Sequence, residues 1–520
     1  MRPAANVNRS QSPSGPHRLH RLGIVVVLVV LVVIGAVIDQ PSTERRPVRI
    51  PDQADIAQVG AASYEAPARA LRDRSMPVAA RLGAASTTWF CGGAPAAATT
   101  IVLTNRSPRA RSALVTVVTS ANENATRRVP VPARSTRNLP VDFAGEGTVA
   151  ATVESRHGGL VAGMRVSGDQ TMTTAACATT SSDSWFFAGG DTQRGATETL
   201  ALFNPFDELA TADVTFLTPD GFRRPQPTQG LAVPGRSVVL VDVADVQNRR
   251  SDLGAAVTTR SGRIVTWRHQ SFDGTGPSLA DGASPEGVSL ALGASTPLTR
   301  FALPTAVTGS GVAPRIVLAN PGVTTATVRL TFAVDDPANT GQPPATTVEL
   351  LSGAVEVLDS TELRQVASGV SFSVSGRVVK GGAVVAELWF DGSAPASGHG
   401  AFATTGFGLS ARSWVAPVGL ELPVLDQLGV DSAGRSGRLR LWVIADGERR
   451  RVALPDQAST VRANGRVTID LAALLEAHPG ATVELTSSTP VTVSRLQTGP
   501  GEQGLVSTPA VPIAGGLAAP

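Results

Sequence analysis

From about Thr88 to the C-terminus, apolar and polar residues alternate in runs too short for helices, and each run is broken by a turn signal. Arg438-Leu439-Arg440-Leu441-Trp442-Val443-Ile444 is the plainest case, with charged and apolar side chains alternating up to Asp446-Gly447. A period of two places one face of a strand on a core and the other in solvent. The runs also recur as a set. Val141-Asp142, Val241-Asp242, Leu358-Asp359 and Ile469-Asp470 each follow a turn signal and precede two β-rich runs joined by a tight connection. Those pairs are 149–153 with 160–166, 255–258 with 264–268, 370–374 with 383–388, and 482–485 with 491–495. His157-Gly158-Gly159, Ser261-Gly262 and Lys380-Gly381-Gly382 lie in the first three connections, where glycine supplies the positive φ of a hairpin turn. The prediction is an all-β chain of tandem immunoglobulin-like β-sandwich repeats spanning 86–178, 179–295, 296–408 and 409–520. A unit of roughly a hundred residues suits such a sandwich, whereas a four-stranded propeller blade is about half as long. The longest helical candidate within the repeats is Asp470–Ala477.

The N-terminal region has a different pattern. Residues 1–21 are polar and basic, and 22–38 form an uncharged run of 17 residues dominated by Val, Leu and Ile. A run of that length lies near the lower limit for crossing a bilayer. His17, Arg18, His20 and Arg21 flank it, so the positive-inside rule puts the N-terminus in the cytoplasm and the repeats outside. The expectation is a single-pass signal anchor at the cell membrane. The alternative is secretion after signal cleavage, for which Ile34-Gly35-Ala36 is a weak site. Residues 39–85, mixing Pro, Arg, Asp and Ala without periodicity, read as a stalk.

Composition changes the picture at one point. The 520-residue chain has a net charge of +3, and Lys380 is its single lysine. Subtracting Arg2, Arg9, Arg18 and Arg21 from that +3 leaves −1 for everything after residue 38. A near-neutral repeat region offers no footprint for a phosphate backbone, so nucleic acid is excluded as a partner.

Candidate chemistry is sparse. Cys91 and Cys177, the two cysteines, sit at opposite ends of the first repeat. Outside the membrane an even pair reads as a disulfide, with two buried thiols as the alternative. The six histidines include no H-E-x-x-H pair, and no G-x-S-x-G elbow occurs, so no catalytic residue, metal site or cofactor is expected. Trp89, Trp185, Phe301 and Trp414 open the four repeats. They are either stacking platforms for sugars or a partner chain, or one core plug per sandwich; recurrence with the repeat favours the plug. Arg165, Arg268 and Arg495 recur in late strands, as an anionic binding stripe or as salt-bridged edge residues.

The Trp-Phe…Gly-Gly openings and the strand ends Leu202-Phe203-Asn204-Pro205 and Leu318-Ala319-Asn320-Pro321, behind an N-terminal apolar run, resemble an uncharacterised family. Its members are secreted or membrane-anchored actinobacterial proteins catalogued as a domain of unknown function. The resemblance extends from about residue 86, although the first repeat has Asn105-Arg106 and the fourth lacks the pair. It implies an extracytoplasmic habitat and no mechanism. The expected function is therefore non-enzymatic: a structural or binding protein of the cell envelope, facing a wall polymer or a partner protein. The alternative is an accessory subunit that positions an envelope-biosynthesis enzyme.

Overall fold

The computed structural model describes residues 76–520 apart from 169–170, 279–283, 310–311, 336–340, 393–399, 418, 421–422, 433, 500–503, 516 and 519–520. The basic tail, the apolar run 22–38 and most of the stalk 39–85 lie outside the described residues. Among the described residues no helix is long and apolar enough to cross a membrane.

The first repeat contains β1 (Thr87–Pro95), β2 (Thr99–Asn105), β3 (Arg111–Thr119), β4 (Asn124–Val131), β5 (Ser135–Pro140), β6 (Thr148–Ser155), β7 (Leu160–Ser167) and β8 (Met172–Ala176). They form two antiparallel sheets, ordered β1-β6-β3-β4 and β5-β2-β7-β8. The second contains β9 (Ser184–Phe187), β10 (Ala196–Asn204), β11 (Ala210–Thr218), β12 (Gly221–Arg223), β13 (Leu231–Val233), β14 (Ser237–Asp242), β15 (Gly254–Ser261), β16 (Val265–Asp273) and β17 (Glu286–Leu292). Its sheets run β12-β11-β15-β9, with β13 also paired to β11, and β14-β10-β16-β17. The third contains β18 (Arg300–Val307), β19 (Val312–Ala319), β20 (Ala326–Val334), β21 (Thr346–Leu350), β22 (Val355–Leu358), β23 (Ser371–Lys380), β24 (Val385–Gly392) and β25 (Gly400–Thr405). These pair as β18-β23-β20-β21 and β22-β19-β24-β25, so one strand order is used three times.

The fourth repeat departs from it. Its strands are β26 (Ala411–Ala416), β27 (Leu425–Asp431), β28 (Gly437–Ala445), β29 (Glu448–Val452), β30 (Thr460–Val461), β31 (Arg466–Asp470), β32 (Thr482–Thr498), β33 (Leu505–Pro509) and β34 (Val511–Pro512). Here β32 is one strand of 17 residues, and its first part pairs with β26 and β28 while its second pairs with β27 and β33.

That difference corrects the hairpin reading of the late strand pairs. In the first three repeats, β6 and β7, β15 and β16, and β23 and β24 belong to different sheets. Their connections carry the chain across the sandwich-like stack. Gly159, Gly262 and Gly381 there have φ of +95°, +76° and +87°, so the glycines make crossovers rather than in-plane hairpins. A true two-residue hairpin occurs where Ala445 pairs with Glu448 around Asp446-Gly447.

The recurring Asn and Asp are likewise structural. Asn105, Asn204 and Asn320, at the ends of β2, β10 and β19, are buried. Each Nδ2 donates to the carbonyl four residues on (Arg109, Glu208, Thr324), and each Oδ1 accepts the amide two residues on. The asparagine thus clamps the loop that leaves the strand. Ser432 does a shorter version in the fourth repeat, donating to Arg435 O. Asp242, Asp359 and Asp470 accept amides two residues on, and Asp470 caps the short helix Leu471–Leu474. That helix is the structural counterpart of the candidate at 470–477.

The repeats do not form a string. β8 packs on β17, β17 on β25, β25 on β33, and β33 on β8, so the last major strands of all four surround one axis. Val288 N donates to Thr171 Oγ1 (3.1 Å), Ala403 N to Ser289 Oγ (2.7 Å), and Thr174 Oγ1 meets Thr508 Oγ1 (2.5 Å). A cavity of only about 50 Å³ remains on that axis. The fourth repeat meets the first through Thr104 and Thr482, whose hydroxyls lie 3.0 Å apart, and through the buried Arg106–Glu484 pair. Ala79 at the start of the described chain pairs with Ile513 at its end, fastening both termini of this unit together.

Candidate functional site

The three nominated tryptophans are not surface platforms. Trp89, Trp185 and Trp414 are 0%, 2% and 0% exposed. Their indole N–H groups donate to Leu160 O (3.1 Å), Ile264 O (2.8 Å) and Val491 O (3.0 Å), each next to the point where the chain passes from one sheet to the other. Between two sheets, a tryptophan's bulk fills the core and its one polar atom needs such a carbonyl. Phe301 holds the corresponding place in the third repeat, over Gly376, whose missing side chain makes the room.

Of the two readings of the late-strand arginines, burial speaks against an exposed anionic stripe, since Arg165, Arg268 and Arg495 are 8%, 1% and 3% exposed, and Arg268 and Arg495 are salt-bridged. Register separates them as well. Arg268 lies opposite Leu200, four residues before Asn204, and Arg495 opposite Leu428, four before Ser432. Arg165 lies opposite Thr100, five before Asn105, and a one-residue step turns it to the other face. Arg495 grips Asp426 with Nε and Nη2 at 2.7 and 2.5 Å and donates to Ala481 O, which is internal bracing.

Arg268 does something else, and it leads to the site. It projects from β16 of the second repeat to Glu387 on β24 of the third, with both side chains fully buried and Nη2 at 2.9 Å from Oε2. The carboxylate also accepts Ala188 N (3.0 Å) and Trp389 Nε1 (2.9 Å), and Arg268 donates to Gly189 O. Gly189 is required here, because a Cβ would stand 2.7 Å from the Trp389 indole nitrogen. Beside this pair is Glu198 of β10, fully buried, with neither carboxyl oxygen in a well-formed hydrogen bond. Burial pushes it up to about 8; Arg268 pulls it down, while Asp191 and Glu387 push it up. Glu198 is therefore a neutral acid at pH 7. Asp191, in the loop between β9 and β10, is pushed up to about 6, again chiefly by burial.

Outward from the pair, the same junction opens into a cleft of about 420 Å³. The second repeat supplies Asp191, Gln193 and Arg194 from the β9–β10 loop, and Asp252 from the loop before β15. The third supplies Arg315 on β19 and Asp359 and Glu362 after β22. Phe272 and Val357 give it apolar wall. Arg315 is fixed by Asp391, which takes Nε at 3.1 Å and Nη2 at 2.7 Å on one oxygen. Asp252 sits in the left-handed region, φ +54°, with Ser251 Oγ donating to its carboxylate. Among the described residues no group of three or more His, Cys, Asp or Glu side chains is arranged to hold a metal ion.

None of the cleft residues was nominated from sequence, since they come from loops of two repeats. The signal that existed was subtler: Glu198 and Glu387 each interrupt an apolar alternation at a position where a strand should be buried. Cys91 and Cys177, by contrast, are joined as the sequence predicts, tying β1 to the residue after β8 across 86 positions.

Fold and junction together define a class: an all-β protein of several separate sheets in sandwich-like pairs, cross-braced by buried ion pairs. The chain belongs to a family of unknown function, DUF5719, whose model matches residues 149–419, a shorter stretch than the resemblance from residue 86 suggested. Among solved structures it is similar to Thermotoga maritima 1070 at 18% identity, covering 22% of this chain and 95% of that one, with a TM-score of 0.19. A tetra-tandem repeat from the extending region of a large adhesion protein is matched at 12% identity, covering 80% of this chain and 96% of that one, with a TM-score of 0.09. No curated protein matches.

Proposed function

We propose that this is a non-enzymatic, membrane-anchored protein of the extracytoplasmic cell envelope, whose four immunoglobulin-like repeats form a rigid binding unit for a wall polymer or a partner protein. One observation carries the reading: the polar and aromatic residues that stand out in the repeats are engaged in bracing one repeat against another or in filling cores. Arg268–Glu387, Arg106–Glu484 and Arg466–Asp335 each join two repeats. Such pairs add little net stability but specify one arrangement, as a presentation scaffold needs. The disulfide suits an oxidising compartment, in line with the apolar run and its basic flank. The immunoglobulin likeness is one of architecture, because in the first and third repeats the first strand takes the place beside the sixth that the last strand has in an antibody domain.

The test has two arms. Single cysteines replacing Ser63 and Ser10 should respectively be labelled and not labelled by an impermeant reagent on intact cells. The full chain in mild detergent should be retained by isolated envelope. Labelling at Ser10 alone overturns the orientation. Retention lost after protease treatment of the envelope, but not after glycanase treatment, would mean a partner protein rather than a wall polymer, and no retention by either untreated or treated envelope would overturn the binding role.

A further inference from the structure

We infer that the cleft between the second and third repeats binds a neutral, hydroxyl-rich saccharide unit of a glycan. This rests on the envelope-binding reading and names the ligand class. The cleft, at about 420 Å³, falls within the roughly 300–1,000 Å³ of small-molecule sites and has room for about two sugar rings. Its wall mixes acceptors and donors: the carboxylates of Asp191, Asp252, Asp359 and Glu362 stand beside the guanidinium groups of Arg194 and Arg315. That mixture selects among ligands. A phosphate, or the carboxylate of a uronate, offers only acceptors and would face four carboxylates, with Arg315 already neutralised by Asp391. An ammonium offers only donors: it could meet the carboxylates but gives Arg194 no acceptor, and Arg315 is already satisfied by Asp391. A hydroxyl both donates and accepts, so a sugar edge can pair with both kinds of group. The apolar face of the same ring has Phe272 and Val357 to lie against.

The position is also pre-set. Arg315 is held by a doubly bonded carboxylate, Asp191 Oδ1 accepts Gln193 N (2.7 Å), and Asp359 Oδ1 accepts Thr361 N (2.7 Å). Beneath them the buried Arg268–Glu387 pair fixes one repeat on the other, so both walls keep their spacing. Groups held this way lose little freedom on binding.

The experiment is a calorimetric titration of the full chain in detergent with cellotetraose, mannotetraose and chitotetraose, with tetragalacturonate and tetralysine as charged counterparts. At least one neutral tetrasaccharide should bind with a Kd of about 1 mM or tighter. Asp252→Asn, which keeps a residue tolerant of the left-handed backbone, and Gln193→Ala should each weaken that binding at least about fivefold at unchanged melting temperature. Three results overturn the inference: no neutral probe binding, binding indifferent to both variants, or tighter binding of either charged probe. If envelope retains the full chain although no neutral probe binds, the cleft assignment fails and the envelope reading stands. If neither is seen, both fail.

Discussion

Replacing Glu387 by Gln should expose a hidden reserve at the junction. The substitution leaves Arg268, 1% exposed, without its counter-charge, and breaking such a pair ordinarily costs about 3–5 kcal/mol. Glu198 changes the sum. It is protonated in the parent because burial holds it up to about 8, with Glu387 adding to the rise and Arg268 opposing it. Once Glu387 is neutral, one raising influence is gone and Arg268 is uncompensated, so Glu198 ionises and becomes the new partner. Glu387→Gln alone should then cost about 1–2 kcal/mol at pH 7, the scale of degraded hydrogen bonds to Ala188 N and Trp389 Nε1. In a Glu198→Gln background the same change should cost the full 3–5 kcal/mol or so. The assay is urea unfolding of the four proteins, read by tryptophan fluorescence, to which Trp389 at the junction contributes. A coupling of about 2 kcal/mol is expected. If the two substitutions add to within about 0.5 kcal/mol, the reserve does not exist.

Glu198 also sets a pH dependence. Its folded value of about 8 stands above the ordinary 4.5, so the fold binds the extra proton and stability falls as pH rises through that window, fully lost above about 8. Glu198→Gln should flatten the decline between pH 5 and 8 in a melting series, and an unchanged slope would count against it. Trp414→Ala should destabilise by about 3–5 kcal/mol by emptying a core site; a parent-like melt with iodide-quenchable Trp414 fluorescence in the parent would contradict the burial. For the disulfide, a non-reducing digest should give one linked peptide pair, and Cys91→Ser with Cys177→Ser should lose about 4–5 kcal/mol by the loop-entropy estimate. Free thiols at both positions in envelope-derived protein would refute it.

The alternation in β28 and the Asn-Pro and Val-Asp landmarks made strands and repeats legible, because period two and loop clamps are local features. Register was not local. Arg165 and Arg268 looked equivalent by count, yet the partner strand places them one step apart and on opposite faces. The crossovers at Gly159, Gly262 and Gly381 read as hairpins for the same reason: positive φ marks a sharp turn and not the sheet it enters. The cleft was further still from view. Asp191, Asp252 and Glu362 come together only because the second repeat packs against the third, a property of the assembled repeats that no single run of sequence encodes.

That closure is the claim most open to direct test. Thr104 of the first repeat and Thr482 of the fourth are both fully buried with their hydroxyls 3.0 Å apart, although 378 positions separate them. Cysteines at both places in the full chain, oxidised mildly and digested, should give a linked peptide joining the two. A cysteine pair at Thr104 and the 86% exposed Val323 should not link. Recovery of Thr104→Cys and Thr482→Cys as free thiols, under conditions where Cys91–Cys177 stays oxidised, would mean the repeats form an open string and the ring does not exist.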